Sequence, residues 1–212
     1  MDGGAAHWDE VYASRAADEL SWFQAEPVVS FRLLHDFAPP PASVVDIGVG
    51  ESRLIEQILE RGWRDVTVLD ISAEALLELR IRLGVHGRGL SWVNADVTDW
   101  VPERFFTAWH DRAVFHFLVD ESDRAAYVET AREAIAAGGV AIIGTFASDG
   151  PESCSGLPVQ RYDVGGLVEA FGADFQLLHA EREEHRTPSG SAQAFCWVVL
   201  RRRATWDESE AS

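Results

Sequence analysis

Apolar positions along this chain follow two alternating rhythms. From Val44 onward, short runs of consecutive apolar residues give way to stretches in which apolar residues return every three or four positions. The first rhythm suits strands buried on both faces, and the second suits one buried face of a helix. Val44-Val45-Asp46-Ile47 predicts a first strand, and Leu54, Ile55, Ile58 and Leu59 mark a helix closed by Gly62. Residues 66–69 predict a second strand ending at Asp70. Ser72 then caps a helix that turns Leu76, Leu79 and Leu83 inward and stops at Gly84. Residues 90–93 and 106–111 predict the third and fourth strands. Asp120 opens a helix with Tyr127, Val128, Ala131 and Ile135 on one face, ended by Gly138-Gly139, and residues 140–146 predict the fifth strand. Asp163 caps a helix running through Phe171.

The two ends of the chain depart from this alternation. Residues 175–184 and 192–200 are extended runs joined by Thr187-Pro188-Ser189-Gly190, the pattern of an antiparallel hairpin. Five βα units followed by a hairpin predict a doubly wound, mostly parallel α/β sheet with an antiparallel edge. Upstream, Pro39-Pro40-Pro41 separates this core from a helical region. There Pro27 stands at a first helical position, and Val28, Phe31, Leu33, Leu34 and Phe37 form an apolar stripe. An aromatic cluster, Trp8, Tyr12, Trp22 and Phe23, precedes it. The expected organisation is one domain over residues 1–205, with a helical lid at 1–38, a core at 43–202 and an acidic flexible tail at 206–212.

Charge narrows the partners. Eighteen basic residues face thirty-five acidic ones, a net charge of −17. Such a surface repels nucleic acid, whose binding rests on neutralising phosphates with Lys and Arg. It favours solubility, and it suits a cationic or neutral substrate better than a polyanion. Cys154 and Cys196 make no metal-ligand spacing, so no metal site and a reduced, cytoplasmic setting are expected. No apolar stretch is long enough for a membrane span, and the first residues lack the pattern of a secretory signal.

On doubly wound sheets, ligands bind outside the carboxyl ends of the strands. At the first such end, Gly48-Val49-Gly50 permits a tight turn and lets a ligand approach the backbone. Asp70, twenty residues past Gly50, is spaced to accept both hydroxyls of a ribose. A dinucleotide fingerprint would need a small residue at position 53, where Arg53 stands. Asp46, just before the glycines, is poorly placed for a pyrophosphate and suits a cationic amino-acid end. A nucleoside with an amino acid and no phosphate is S-adenosylmethionine (SAM).

These residues resemble the motifs of the class I, seven-stranded, Rossmann-like SAM-dependent methyltransferases, and the likeness runs from about His7 to Arg202. Asp46-Ile47-Gly48-Val49-Gly50 resembles the first motif, with Ser52 in place of the usual third glycine. Asp70-Ile71 resembles the second, the acid for ribose and its apolar neighbour beside adenine. Ala95-Asp96-Val97 is similar to the third, in which Asp96 meets the adenine amino group. The N-terminal pattern is similar to small bacterial methyltransferases, to thiopurine methyltransferase and to small lysine methyltransferases. That likeness implies that Tyr12 and Trp22 fold over bound SAM. It also implies a three-layer α/β/α sandwich, with S-adenosylhomocysteine (SAH) as the product.

Methyl transfer needs alignment more than acid–base help. The polar candidates around the fourth strand's end are His110, Asp111, Arg112 and His116. Asp111 is expected to orient the acceptor or take its proton, with His116 and His110 behind it. His116 also reads as a core histidine, and Arg112 as an ion-pair partner of Asp111 or of a substrate carboxylate. The 148–158 loop and the turn around His185-Arg186 border the expected acceptor pocket, the turn residues reading mainly as solvated. The expected function is methyl transfer to a small-molecule acceptor. The alternatives are a lysine methyltransferase acting on a basic protein and a non-catalytic SAM-binding module.

Overall fold

In the computed structural model, which describes residues 2–14 and 20–204, the apolar runs form a seven-stranded sheet. Its strands are β1 (Val44–Ile47), β2 (Val66–Asp70), β3 (Ser91–Asn94), β4 (Phe106–Arg112) and β5 (Ile135–Phe146). A two-stranded ribbon follows, β6 (Ser153–Cys154) and β7 (Leu157–Pro158). The hairpin β8 (Phe175–Arg186) and β9 (Ala192–Arg202) completes the main sheet. The order is β3-β2-β1-β4-β5-β9-β8, parallel through β5, with β9 antiparallel to both neighbours. The winding reverses between β1 and β4, so their carboxyl ends stand side by side and open a crevice.

The helices are α1 (Asp2–Ser14), α2 (Val28–Phe37), α3 (Leu54–Glu60), α4 (Ala73–Leu83), α5 (Glu121–Ala134) and α6 (Val164–Phe171). On one face of the sheet, Leu33, Ile55 and Leu79 from α2, α3 and α4 pack with Trp63 and Trp197. On the other, Tyr127 and Phe171 from α5 and α6 pack with Trp109 and Phe115. Each fully buried side chain of this size contributes on the order of 1.5–3 kcal/mol. Ser72 and Asp163 cap α4 and α6 as expected, accepting from the backbone N–H of Ala75 and Gly166.

Three local expectations fail for identifiable reasons. The count of five βα units is one too many, because no helix joins β3 to β4. Asp96 binds Thr98 in a tight turn there, and the Trp100 ring packs 6.2 Å from the rings of Phe106 and Trp109. Helix α5 ends at Ala134, and Ile135 already pairs with Phe106 in β5. The pair Gly138-Gly139 therefore lies inside that strand, where the register shifts between Phe106 and Ala108. A Cβ on Gly139 would stand 2.8 Å from the Thr107 carbonyl, so the close approach of two strands, not a helix stop, requires glycine. In α2, Pro27 is the N-cap residue, and Val28 is 58% exposed while Leu33 and Leu34 are buried. Among the described residues, no helix is long and apolar enough to cross a membrane. The expected tail at 206–212 lies outside them.

Candidate active site

The turn after β1 is the floor of the site. Gly48 has φ 67, and a Cβ there would lie 2.1 Å from Cγ2 of Val114. Only glycine leaves room at this point, so the floor is bare backbone. Asp70, at the end of β2, ties this turn to the next one. Its Oδ2 accepts from Gly50 N–H at 3.1 Å and its Oδ1 from Ser72 N–H at 2.9 Å. Burial nevertheless raises its pKa to about 6, outweighing the pull of those two donors.

Above this floor lies a cavity of about 300 Å³ bordered by Gly48, Asp70, Ile71, Asp96 and Val97. Its roof is aromatic. Trp8 and Tyr12 project from α1, and Trp22 follows from the chain between the helices. Trp8 packs edge-on against Phe117 at 5.0 Å, and Asp9 accepts from the Ser72 hydroxyl at 2.6 Å, fastening α1 to the start of α4. A smaller cavity of about 40 Å³ shares Trp22, Gly48 and Arg112 with the first and adds Asp46, Val49, Gly50 and His110. A larger groove of about 520 Å³, beside Glu60, Leu83 and His86, lies by the carboxyl ends of α3 and α4, away from these strand ends.

The expected catalytic residues part company here. Asp111 is fully buried and borders neither cavity. Its Oδ1 accepts from Val114 N–H at 2.8 Å, and its Oδ2 from Phe115 N–H at 3.0 Å and the Tyr127 hydroxyl at 2.5 Å. It organises the turn after β4. His116 is equally buried; its Nδ1 accepts from Phe146 N–H at 3.2 Å, and burial lowers its pKa to about 3, so it stays neutral. His110 alone of the three reaches a cavity, and its Nδ1 is 2.6 Å from Asp46 Oδ1.

Arg112 makes no ion pair with Asp111. It borders both cavities, and its Nη1 donates to the Trp22 carbonyl at 2.9 Å. His185 is not a solvated turn residue: it lies in β8, buried, with Nε2 donating to the Ser21 carbonyl at 2.9 Å. Arg186 is exposed and pairs with Glu184. Cys154 borders the larger cavity from the 148–158 loop, and burial pushes its thiol pKa up, away from thiolate chemistry. Val114 and Phe117, not singled out from sequence, also line it. Their signal was position, immediately past the end of β4, after Ala113 whose φ of 73 turns the chain over the crevice.

The donors fit SAM on the structure's own terms. A buried carboxyl faces the cavity where ribose hydroxyls would donate, an apolar strip of Ile71 and Val97 stands beside it for adenine, and the glycine floor leaves space a Cβ would fill.

Comparison with known proteins agrees. Residues 44–139 match the methyltransferase-domain family. The eEF1A lysine and N-terminal methyltransferase of Mus musculus is 23% identical over 209 residues, covering 95% of this chain and 29% of that protein. The chain thus spans less than a third of that relative's length. Among solved structures, one from a study of the conversion of a disulfide bond into a thioacetal group during echinomycin biosynthesis superposes with a TM-score of 0.75. It is 20% identical, over 98% of this chain and 95% of the other. The 1,6-didemethyltoxoflavin-N1-methyltransferase of Burkholderia thailandensis, solved with 1,6-didemethyltoxoflavin and SAH, gives a TM-score of 0.69 at 21% identity, over 96% and 85%. The fold, the matched methyltransferase domain and the crevice at the strand ends thus all make this chain similar to the class I, SAM-dependent methyltransferases.

Proposed function

We propose that this protein transfers the methyl group of SAM to a small-molecule acceptor. The observation that carries the reading is the roof: Trp8, Tyr12 and Trp22 close over a cavity of about 300 Å³ that must hold cofactor and acceptor together. When bound, SAM would supply an electrophilic methyl carbon to the acceptor's lone pair, with SAH as the leaving group. The residues then have four tasks. Asp70 takes the ribose hydroxyls, and Ile71 with Val97 flanks the adenine while Asp96 meets its amino group. Asp46, held by His110, faces the amino-acid end. The aromatic roof excludes water, which strengthens every remaining electrostatic contact. Alignment of this kind contributes ~7–11 kcal/mol to such a displacement, more than a positioned base supplies. We accordingly place Asp111 and His116 as supports of the turn beneath the acceptor, outside the proton path.

A protein acceptor is the second reading, favoured by the name of the mouse relative and by the net charge of −17, which suits a basic partner. Incubation with methyl-labelled SAM separates them. Label transferred to members of a panel of metabolite-sized acceptors supports the first. Label confined to a discrete protein band from lysate rejects it in favour of the second. Tight SAM binding with no product in either arm leaves the non-catalytic module.

A further inference from the structure

Arg112 is a half-buried residue whose guanidinium has an unpartnered edge. Its Nη1 is engaged by the Trp22 carbonyl, but Nε and Nη2 are buried with no hydrogen-bond partner. Those two nitrogens form one side of the guanidinium fork, the side that matches the two oxygens of a carboxylate. The guanidinium carbon rests 4.5 Å from the centroid of the Phe195 ring, which fixes the plane of the group. Among the described residues no carboxylate lies within 4.0 Å of it. Glu183, the acid whose field it feels most, has both oxygens taken, by Gln24 Nε2 at 2.7 Å and Trp197 Nε1 at 2.8 Å. Burial lowers the guanidinium pKa to about 10, which still leaves it charged at neutral pH.

Its surroundings sharpen the point. Burial first, and the Arg112 charge second, depress the pKa of both His116 and His185, so the cation is felt at this end of the cleft while the chain as a whole stands at −17. The cavity it borders is lined as well by the flat rings of Trp8, Trp22 and Phe117 and by Leu157. A buried charge is retained where something completes it, and nothing among the described residues does so here.

We propose that the acceptor is a carboxylate on a flat apolar body, and that Arg112 grips this carboxylate through Nε and Nη2 as the specificity-determining residue. The carboxylate is the handle; the methylated atom lies elsewhere on the acceptor. The proposal rests on the small-molecule reading above. It also departs from the expectation from net charge, because Arg112 brings a cation to a cavity that Asp70 and Asp96 border as well.

The test is calorimetry on the SAH-saturated protein with three probes of one shape: benzoate, benzamide and benzylamine. Benzoate should bind at least about tenfold more tightly than either of the others. Arg112→Gln should abolish that preference while SAH affinity moves less than about threefold, and Arg112→Lys, a charge without the fork, should restore part of it. Equal binding of the three probes, or a preference for benzylamine, in the unaltered protein overturns the proposal whether or not the variants fold. So does an Arg112→Gln protein that loses SAH about tenfold yet keeps its benzoate preference, since Arg112 would then serve the cofactor's own carboxylate. Failure of the unaltered protein to bind SAH is a different result: it defeats the methyltransferase reading and this proposal with it.

Discussion

Asp70 and Asp111 stand at or next to the ends of two inner strands and invite a comparison. Both are buried, both accept backbone N–H groups from the turn beyond their strand, and burial raises the pKa of each to about 6. Yet Asp70 borders the cavity and Asp111 does not. The two side chains leave the sheet on opposite faces. Asp70 follows Val66 and Val68, which face α2, α3 and α4, whereas Asp111 follows Trp109 onto the face of α5 and α6. Side chains alternate with a period of two, so a shift of one residue moves a group through the sheet. In β4 the residues that border a cavity are His110 and Arg112. Burial and a shifted pKa alone do not identify a catalytic acid.

The sharpest way to break the comparison is to truncate each acid. Asp111→Ala leaves two backbone N–H groups and the Tyr127 hydroxyl without an acceptor, and should cost about 3–5 kcal/mol of stability in a denaturation experiment. SAH affinity of the folded protein should change little. Asp70→Ala should weaken SAH by ~1.5–3 kcal/mol, about ten- to a hundredfold or somewhat more, through loss of the ribose hydrogen bonds. If the two substitutions exchanged effects, the division into a binding acid and a structural one would be wrong.

Acidity gives a finer contrast. Ribose hydroxyls donate to the ionised form of Asp70, so SAH binding should be strongest above its pKa of about 6 and weaken as pH falls through it, by up to about tenfold per unit. Asp70→Asn should flatten that profile, and Asp111→Asn should leave it in place. Stability of the ligand-free protein runs the other way with respect to these two groups. A carboxyl whose folded pKa exceeds its unfolded value contributes stability that is full below the unfolded value and is lost as pH rises through about 6. His116, whose pKa is depressed to about 3, opposes them, its contribution being present above the unfolded histidine value and lost as pH falls. An SAH affinity that rose on acidification would contradict the role given to Asp70.

These contrasts also show what the sequence could carry. The strands, their order of appearance and the floor of the cofactor site were legible because each depends on local pattern: apolar runs, a Ser or Asp cap, and glycines where a Cβ would meet Val114. The expected cofactor contacts Asp70, Ile71, Asp96 and Val97 line one cavity. The side of β4 was legible too, since Trp109 and Asp111 share parity. What no local pattern contained was long-range pairing. Asp46 with His110, Asp111 with Tyr127 and His185 with the Ser21 carbonyl each join segments far apart in the chain. For the same reason Arg112 looked like an ion-pair partner until the sheet carried it away from Asp111.

The smallest expected effect isolates the seal behind Asp111. Tyr127 donates its hydroxyl to Asp111 and accepts from Trp109 Nε1 at 2.8 Å, while its ring packs 4.9 Å from Phe115. Tyr127→Phe keeps the ring and removes only the hydroxyl, so the apolar packing survives. Asp111 retains its two backbone donors, and Trp109 Nε1 loses its acceptor. The loss should be about 1–2 kcal/mol of stability, the range for a buried donor left unpaired, smaller than for Asp111→Ala because fewer groups are orphaned. SAH affinity should not move, because the hydroxyl faces the layer of α5 and α6 and not the cofactor. A substantial fall in SAH affinity in this variant, with stability intact, would mean that Asp111 communicates with the cavity through the turn at Val114, and the two acids would then be less separate than their faces of the sheet suggest.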